Sequence, residues 1–158
     1  MGSIVCATRG GEGSRAVQME AISRAKRNRQ RLVFLYVTDP SAVGAVDEML
    51  KTAVREELNW MGHTLLRIAQ HRAQLAGLET ELVIREGHLQ EAIERFLRES
   101  DATLLLLGAS RNTTGTVFGD DAVERFAQSI EEHTGIEVEV VHPEQYDRDR
   151  RRAGEKAL

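Results

Sequence analysis

Two short segments, Leu32 to Val37 (LVFLYV) and Ala102 to Leu107 (ATLLLL), are apolar almost without a break. A strand with one wet face alternates apolar and polar residues, whereas a strand that is apolar at nearly every position is covered on both faces. Strands covered on both faces belong to a parallel sheet whose crossover helices form a layer on either side. That requirement sets the architecture that the rest of the chain has to supply.

Ile4 to Thr8 reads as a short first strand, followed by a turn through Arg9-Gly10-Gly11-Glu12-Gly13. A helix then runs from Ser14, as N-cap, to about Asn28, with Val17, Ala21, Ile22 and Ala25 inward. From about Val46 to Ala76 apolar residues keep the helical spacing, which predicts one helix of roughly 45 Å, bent near Gly62 or frayed at its start and capped by Gly77. Leu78 to Ile84 alternates, as in a strand near a sheet edge, and Leu89 to Ser100 forms a third helix. After the Ala102 to Leu107 strand come a loop from Gly108 to Gly119, a helix from Asp120 to about His133 and a last strand from Ile136 to Val141. Five strands and four helices in strict alternation predict an α/β fold with right-handed crossovers and helices on both sheet faces. Residues 1–142 make the domain, and residues 143–158, with Arg148, Arg150, Arg151 and Arg152, read as a charged, solvated extension.

A chain of 158 residues fits one domain, and its net charge of −4 argues against nucleic acid as a partner. No apolar run approaches the roughly 18 residues that span a bilayer, and the N-terminus lacks a signal peptide's apolar core. A single cysteine, Cys6, excludes an intrachain disulfide and suits a reducing cytoplasm; in the first strand it reads as a small buried hydrophobe. The expected location is therefore cytoplasmic, without membrane insertion. His63 and His71 stand two helical turns, roughly 12 Å, apart, too far to share a metal, and His88 is the one histidine expected at a strand end by the crevice. No metal site is expected. Neither a Gly-x-Ser-x-Gly elbow nor a full phosphate-binding Walker loop is present, so no catalytic residue is nominated and the chain reads as a binding module rather than an enzyme.

The pieces also stand in a telling order. A first strand runs into a glycine-rich turn, and a second ends Leu35-Tyr36-Val37-Thr38-Asp39-Pro40. Glu86-Gly87 precedes the third helix, Asp101-Ala102 the fourth strand, and a glycine loop opens at Gly108. Over roughly residues 3 to 142 the chain resembles the universal stress protein family. The resemblance implies a Rossmann-like sheet of order 3-2-1-4-5, similar to the adenine nucleotide alpha hydrolase-like fold, with a ligand crevice between strands one and four. It nominates Thr8, Arg9 and Gly10 after the first strand and Val37 at the end of the second. From the last loop it adds Gly108, Ser110, Arg111, Gly119 and Asp120.

Nucleotide-binding members follow the fourth strand with Gly-x-x-Gly, nine residues, then Gly-Ser or Gly-Thr, and here the match is partial. Gly108 fits, Arg111 replaces the second glycine, the stretch to Gly119 is about two residues shorter, and Asp120 stands where a hydroxyl is usual. Asp120 and Asp121 at a helix N-terminus would engage its positive end themselves and repel a triphosphate by on the order of 1 kcal/mol per charge at about 4 Å in water. Arg9 stands where the family places an aspartate against the nucleoside. The reading that results is a regulatory or binding module of the stress response that needs no cofactor and does not depend on ATP. One alternative is an ATP- or AMP-binding member with weak ATPase or switch activity, using Arg9, Arg111, Ser110, Thr113, Thr114 and Thr116. Another is the cytoplasmic regulatory domain of a membrane transporter. Family members commonly pair their last strand across a two-fold axis, so a homodimer through Ile136 to Val141 is expected, with Glu137 and Glu139 crowding like charges there.

Overall fold

The computed structural model describes residues 2–9, 12–44, 47–109 and 117–156, with backbone alone for 12, 13, 42, 43, 117–121, 155 and 156. Strands β1 (Ser3–Ala7), β2 (Leu32–Thr38), β3 (Thr80–Glu86), β4 (Ala102–Gly108) and β5 (Glu137–Val141) form one sheet in the order β3-β2-β1-β4-β5. Every pairing is parallel, with Val5 opposite Val33 on one side and Leu105 on the other. This is the predicted α/β architecture.

Alternation along the strands divides the core into two layers. Ile4, Cys6, Phe34 and Leu106 point to one face, beneath Val17, Ala21 and Ala25 of α1 (Glu12–Asn28) and Leu66, Ala69 and Ala73 of α2 (Glu48–Leu75). Val5, Val33, Leu35, Leu105 and Leu107 point to the other, beneath α3 (Leu89–Glu99) and α4 (Val117–Thr134). Both faces are dry along most of their length, which is why β2 and β4 carry nearly continuous apolar runs. The edge strands are wetter: among the residues of β3 only Val83 is fully buried, and none of β5 is.

Three helix starts and the role of Gly62 differ from the sequence reading. Helix α1 begins at Glu12, so Ser14 lies buried in its first turn instead of capping it. Helix α2 runs unbroken from Glu48, after a 3-10 turn at Pro40–Val43; its expected start at Val46 lies outside the described residues. Gly62 marks a close approach in place of a bend, since a Cβ there would stand 2.7 Å from Cδ1 of the Tyr36 ring. At the other end Gly77 takes φ +79 and its N–H bonds the Gln74 carbonyl while that of Leu78 bonds Ala73, the paired closure that favours glycine just past a helix. Helix α4 starts at Val117, three residues before the expected Asp120.

The charged tail departs furthest from expectation. Pro143–Lys156 forms a fifth helix, α5, which lies against α1. Proline at the first helical position has its φ set in advance and gives up only an N–H that would have been unpaired. Tyr146 supplies an aromatic face under Arg150, 5.9 Å from the ring centre.

A buried carboxylate ties α3 to α4. Glu94 accepts from Gln90 Nε2 at 3.0 Å and lies 2.7 Å from His133 Nδ1, while Gln90 also donates to Ser129 Oγ at 2.8 Å. Burial alone would push the Glu94 carboxyl up, but the Gln90 and His133 bonds and the Arg98 charge hold it below the ordinary glutamate range. A group depressed on folding stabilises the fold above its unfolded pKa, about 4.3 for glutamate, and loses that contribution as pH falls through the lower folded value. Glu94→Gln should therefore cost about 1–3 kcal/mol at neutral pH, with the gap from the natural chain narrowing below about pH 4; urea unfolding across that range reads it. Gly62→Ala should lower stability by about 1–2 kcal/mol, because overpacking against Tyr36 outweighs the roughly 1 kcal/mol that alanine adds to a helix. An unchanged urea midpoint for Gly62→Ala would mean that the Tyr36 ring yields freely.

Candidate ligand-binding crevice

The crevice arises where the chain changes direction along the sheet. Strands β1 and β4 are paired up to Ala7 opposite Leu107. Beyond that point Thr8 N–H bonds outward to the Leu35 carbonyl of β2 at 2.9 Å, and Ala109 N–H bonds outward to the Val141 carbonyl of β5 at 3.0 Å. Two central strands that turn to opposite neighbours leave a gap at their carboxyl ends, the place where open parallel sheets receive ligands.

Thr8 sits at the base of this gap and is buried. Its Oγ1 accepts from Gln18 Nε2 at 2.7 Å, and Gln18 Oε1 accepts from Arg72 Nη1 at 2.5 Å. A guanidinium only donates, so Arg72 fixes which end of the Gln18 amide it meets and thereby turns the amide N–H toward Thr8. With its oxygen occupied as an acceptor, the Thr8 hydroxyl keeps its own proton for a further partner. The relay crosses from β1 through α1 to α2 and is held from the far side. Arg72 is partly withdrawn from water and stands near Arg15, and both effects hold its pKa below the ordinary arginine value.

The end of β2 is organised differently. Asp39 accepts from Ser41 N–H at 3.0 Å and Ser41 Oγ at 2.5 Å, closing the 3-10 turn, and its other oxygen lies 3.5 Å from His88 Nδ1. The Ser41 hydroxyl bond first, and the His88 contact with it, hold the Asp39 carboxyl below its usual range. Gly87 N–H bonds the Thr38 carbonyl at 2.9 Å, which seats His88 over the ends of β2 and β3. His88 thus stands beside Asp39 on the β2 side and is largely exposed.

Of the nominated residues, Thr8, Arg9, Val37 and Gly108 fall at the carboxyl end of the sheet. Arg9 is exposed, and Gly108 pairs with Val141 as the last residue of β4. Val37 is half-buried against the α3 and α4 layer, as core packing alone requires. Gly10, Ser110 and Arg111 lie outside the described residues. Gly119 and Asp120 lie within the first turns of α4 and not ahead of it. Gln18 and Arg72 were not nominated. A polar residue on the inward stripe beside Val17, Ala21 and Ile22 is the signal that marks Gln18, since a buried amide must find partners.

The sequence profile of the universal stress protein family matches residues 1–142. The chain belongs to that family. A universal stress protein from Burkholderia pseudomallei is 25% identical, with 88% of this chain and 95% of that chain aligned at a TM-score of 0.62. Lactobacillus plantarum UspA shares the fold at 19% identity, 88% and 97% coverage and a TM-score of 0.70. An Arabidopsis thaliana family protein, solved with AMP bound, aligns at 16% identity, 89% and 91% coverage and a TM-score of 0.61. No curated protein sequence matches the chain.

Gln18→Ala should leave both Thr8 and Arg72 without their partner and lower stability by about 1–3 kcal/mol. Thermal unfolding of this variant beside Thr8→Val reads how much of that loss belongs to the Thr8 end. Equal stability of Gln18→Ala and the natural chain would show the relay to be incidental.

Proposed function

We propose that this chain is a binding module of the stress response that acts without ATP. The observation that carries the reading is the start of α4. In the family pattern a glycine and a hydroxyl residue meet phosphate, whereas here Gly119 and Asp120 are taken into the first turns of a helix that begins at Val117. The sequence puts two acidic residues, at 120 and 121, near the start of that helix, where their charge would oppose a triphosphate.

Binding of an adenine monophosphate is the second reading. Family members of this fold are described with cAMP, AMP and dAMP bound. Here the β1–β4 gap and the Thr8 hydroxyl, its proton free to donate, favour a small polar ligand with fewer charges than ATP. The module pairs with a second copy through β5, where Arg24 Nη2 lies 2.6 Å from Glu139 and leaves Glu137 as the acid still to be accommodated. Among the described residues no helix is long and apolar enough to cross a membrane.

Calorimetric titration of ATP, ADP and AMP into the natural chain and into Arg111→Gly, Asp120→Ser tests both readings. The expected outcome is no ATP binding tighter than about 1 mM by the natural chain, the level at which binding supplies only about 4 kcal/mol, and a gain of at least tenfold in the variant. Micromolar ATP binding by the natural chain would overturn the first reading; AMP binding without ATP binding would select the second.

A further inference from the structure

Helix α2 buries one side and leaves the other uncovered. Gly62, Leu66, Ala69 and Ala73 face the sheet. Met49, Leu50, Trp60, Met61, Ile68 and Leu75 are 44–92% exposed, and they are the large exposed apolar residues of the described structure. At 3.6 residues per turn these six fall on the side of the helix roughly opposite the buried four. Met61, Ile68 and Leu75 repeat every seven residues along that side, with Glu57, Thr64 and His71 beside them. A lone surface helix has no use for such a stripe, and apolar residues collected on one face mark an interaction surface.

The charges of α2 indicate what covers it. Its acids, Glu48, Glu56 and Glu57, all lie in the N-terminal ten residues, while residues 58–75 contain no acid and carry Arg67 and Arg72. Lys51 already pairs with Glu48 at 2.6 Å, Arg55 with Glu86 at 2.9 Å, and Arg72 is bonded to Gln18. Glu56, Glu57 and Arg67 have no ion pair among the described residues. Laying two copies of the 28-residue helix antiparallel with full overlap sets residue 48 against 75 and therefore Glu56 against Arg67, twice by symmetry. A two-fold axis perpendicular to both helices brings the same flank of each copy together, and Glu56 and Arg67 lie on one flank. Parallel pairing would instead put Glu56 and Glu57 at the level of their own copies.

We propose that α2 is a docking surface for a second copy of this chain, with the two helices antiparallel and Trp60 and Met61 beside the two-fold axis. A helix of this length, about 42 Å with a face about 10 Å wide, offers roughly 400 Å² on each copy. About 800 Å² in all is the size of a transient contact, below the 1,200 Å² or so of stable ones. Pairing is therefore concentration-dependent. It does not rest on the β5 contact: α2 lies over β2 and β3, at the other end of the sheet, so pairing through β5 leaves the two α2 helices apart.

Trp60 is the only tryptophan, and Cys6 is fully buried with its thiol pushed up by burial, so both probes needed for a test are unambiguous. Leu50→Cys and Leu75→Cys, each in the full chain, are mixed and oxidised. The expected product is a 50-to-75 disulfide dimer, formed at least tenfold more than either like-to-like dimer, with Trp60 emission moving to shorter wavelength as the natural chain is concentrated. Arg67→Glu should reduce the cross-link at least tenfold, and Glu56→Arg with Arg67→Glu should restore it, a rescue that a misfolded variant could not show. Like-to-like disulfides in excess would overturn the antiparallel arrangement. Trp60 emission that stays at its exposed value up to millimolar chain, or that shifts only when anionic vesicles are added, would overturn the second copy as occupant.

Discussion

Strand β1 has water on neither face, and the rest of the molecule is arranged to keep it so. Ile4 and Cys6 pack beneath α1 and α2, Val5 beneath the opposite helix layer, and β2 and β4 close its two edges. Each large apolar side chain buried in this way contributes about 1.5–3 kcal/mol. A strand so enclosed can meet polar groups only at its ends. At the lower end Ser3 donates to Asp101 at 2.8 Å, and Asp101 also meets Arg31 at 2.6 Å. At the upper end Thr8 meets Gln18. The upper end is where β1 and β4 part, the place at which an open parallel sheet leaves room for a ligand.

The crevice therefore has a hydrogen-bonded floor. The floor is the Thr8, Gln18 and Arg72 relay, which joins three elements through fully directed hydrogen bonds. Beside it stand Arg9 and the first turns of α4, and at both the sequence departs from the pattern of nucleotide-binding members that it resembles. Arg9 reverses a charge on one side, and the early start of α4 draws Gly119 and Asp120 into a helix on the other. Family membership thus carries the scaffold over.

Much of the fold was legible because burial leaves a periodic trace. The runs in β2 and β4 announced a two-faced sheet, the alternation of β3 placed it at an edge, and the inward stripe of α1 fell where expected. Helix ends were less legible, since they depend on a few hydrogen bonds that leave no repeat: Ser14 resembled a cap yet lies inside a turn, and Asp120 did likewise. Helix α5 was missed because its contact with α1 rests on so few apolar residues that its composition matched a solvated tail. The Gln18 relay was missed because its partners lie 10 and 54 residues away.

From sequence alone came the family, the element types, their order and the strands that had to be central, since these follow from side-chain transfer out of water and need only local pattern. Tertiary structure alone decided that Gly62 serves the Tyr36 ring, that Arg24 engages Glu139, that Glu94 is buried against His133, and that the apolar stripe of α2 faces outward. Each of these is a meeting between residues on different elements. Periodicity tells which side of an element is apolar, but only the packed chain tells what, if anything, lies across from it.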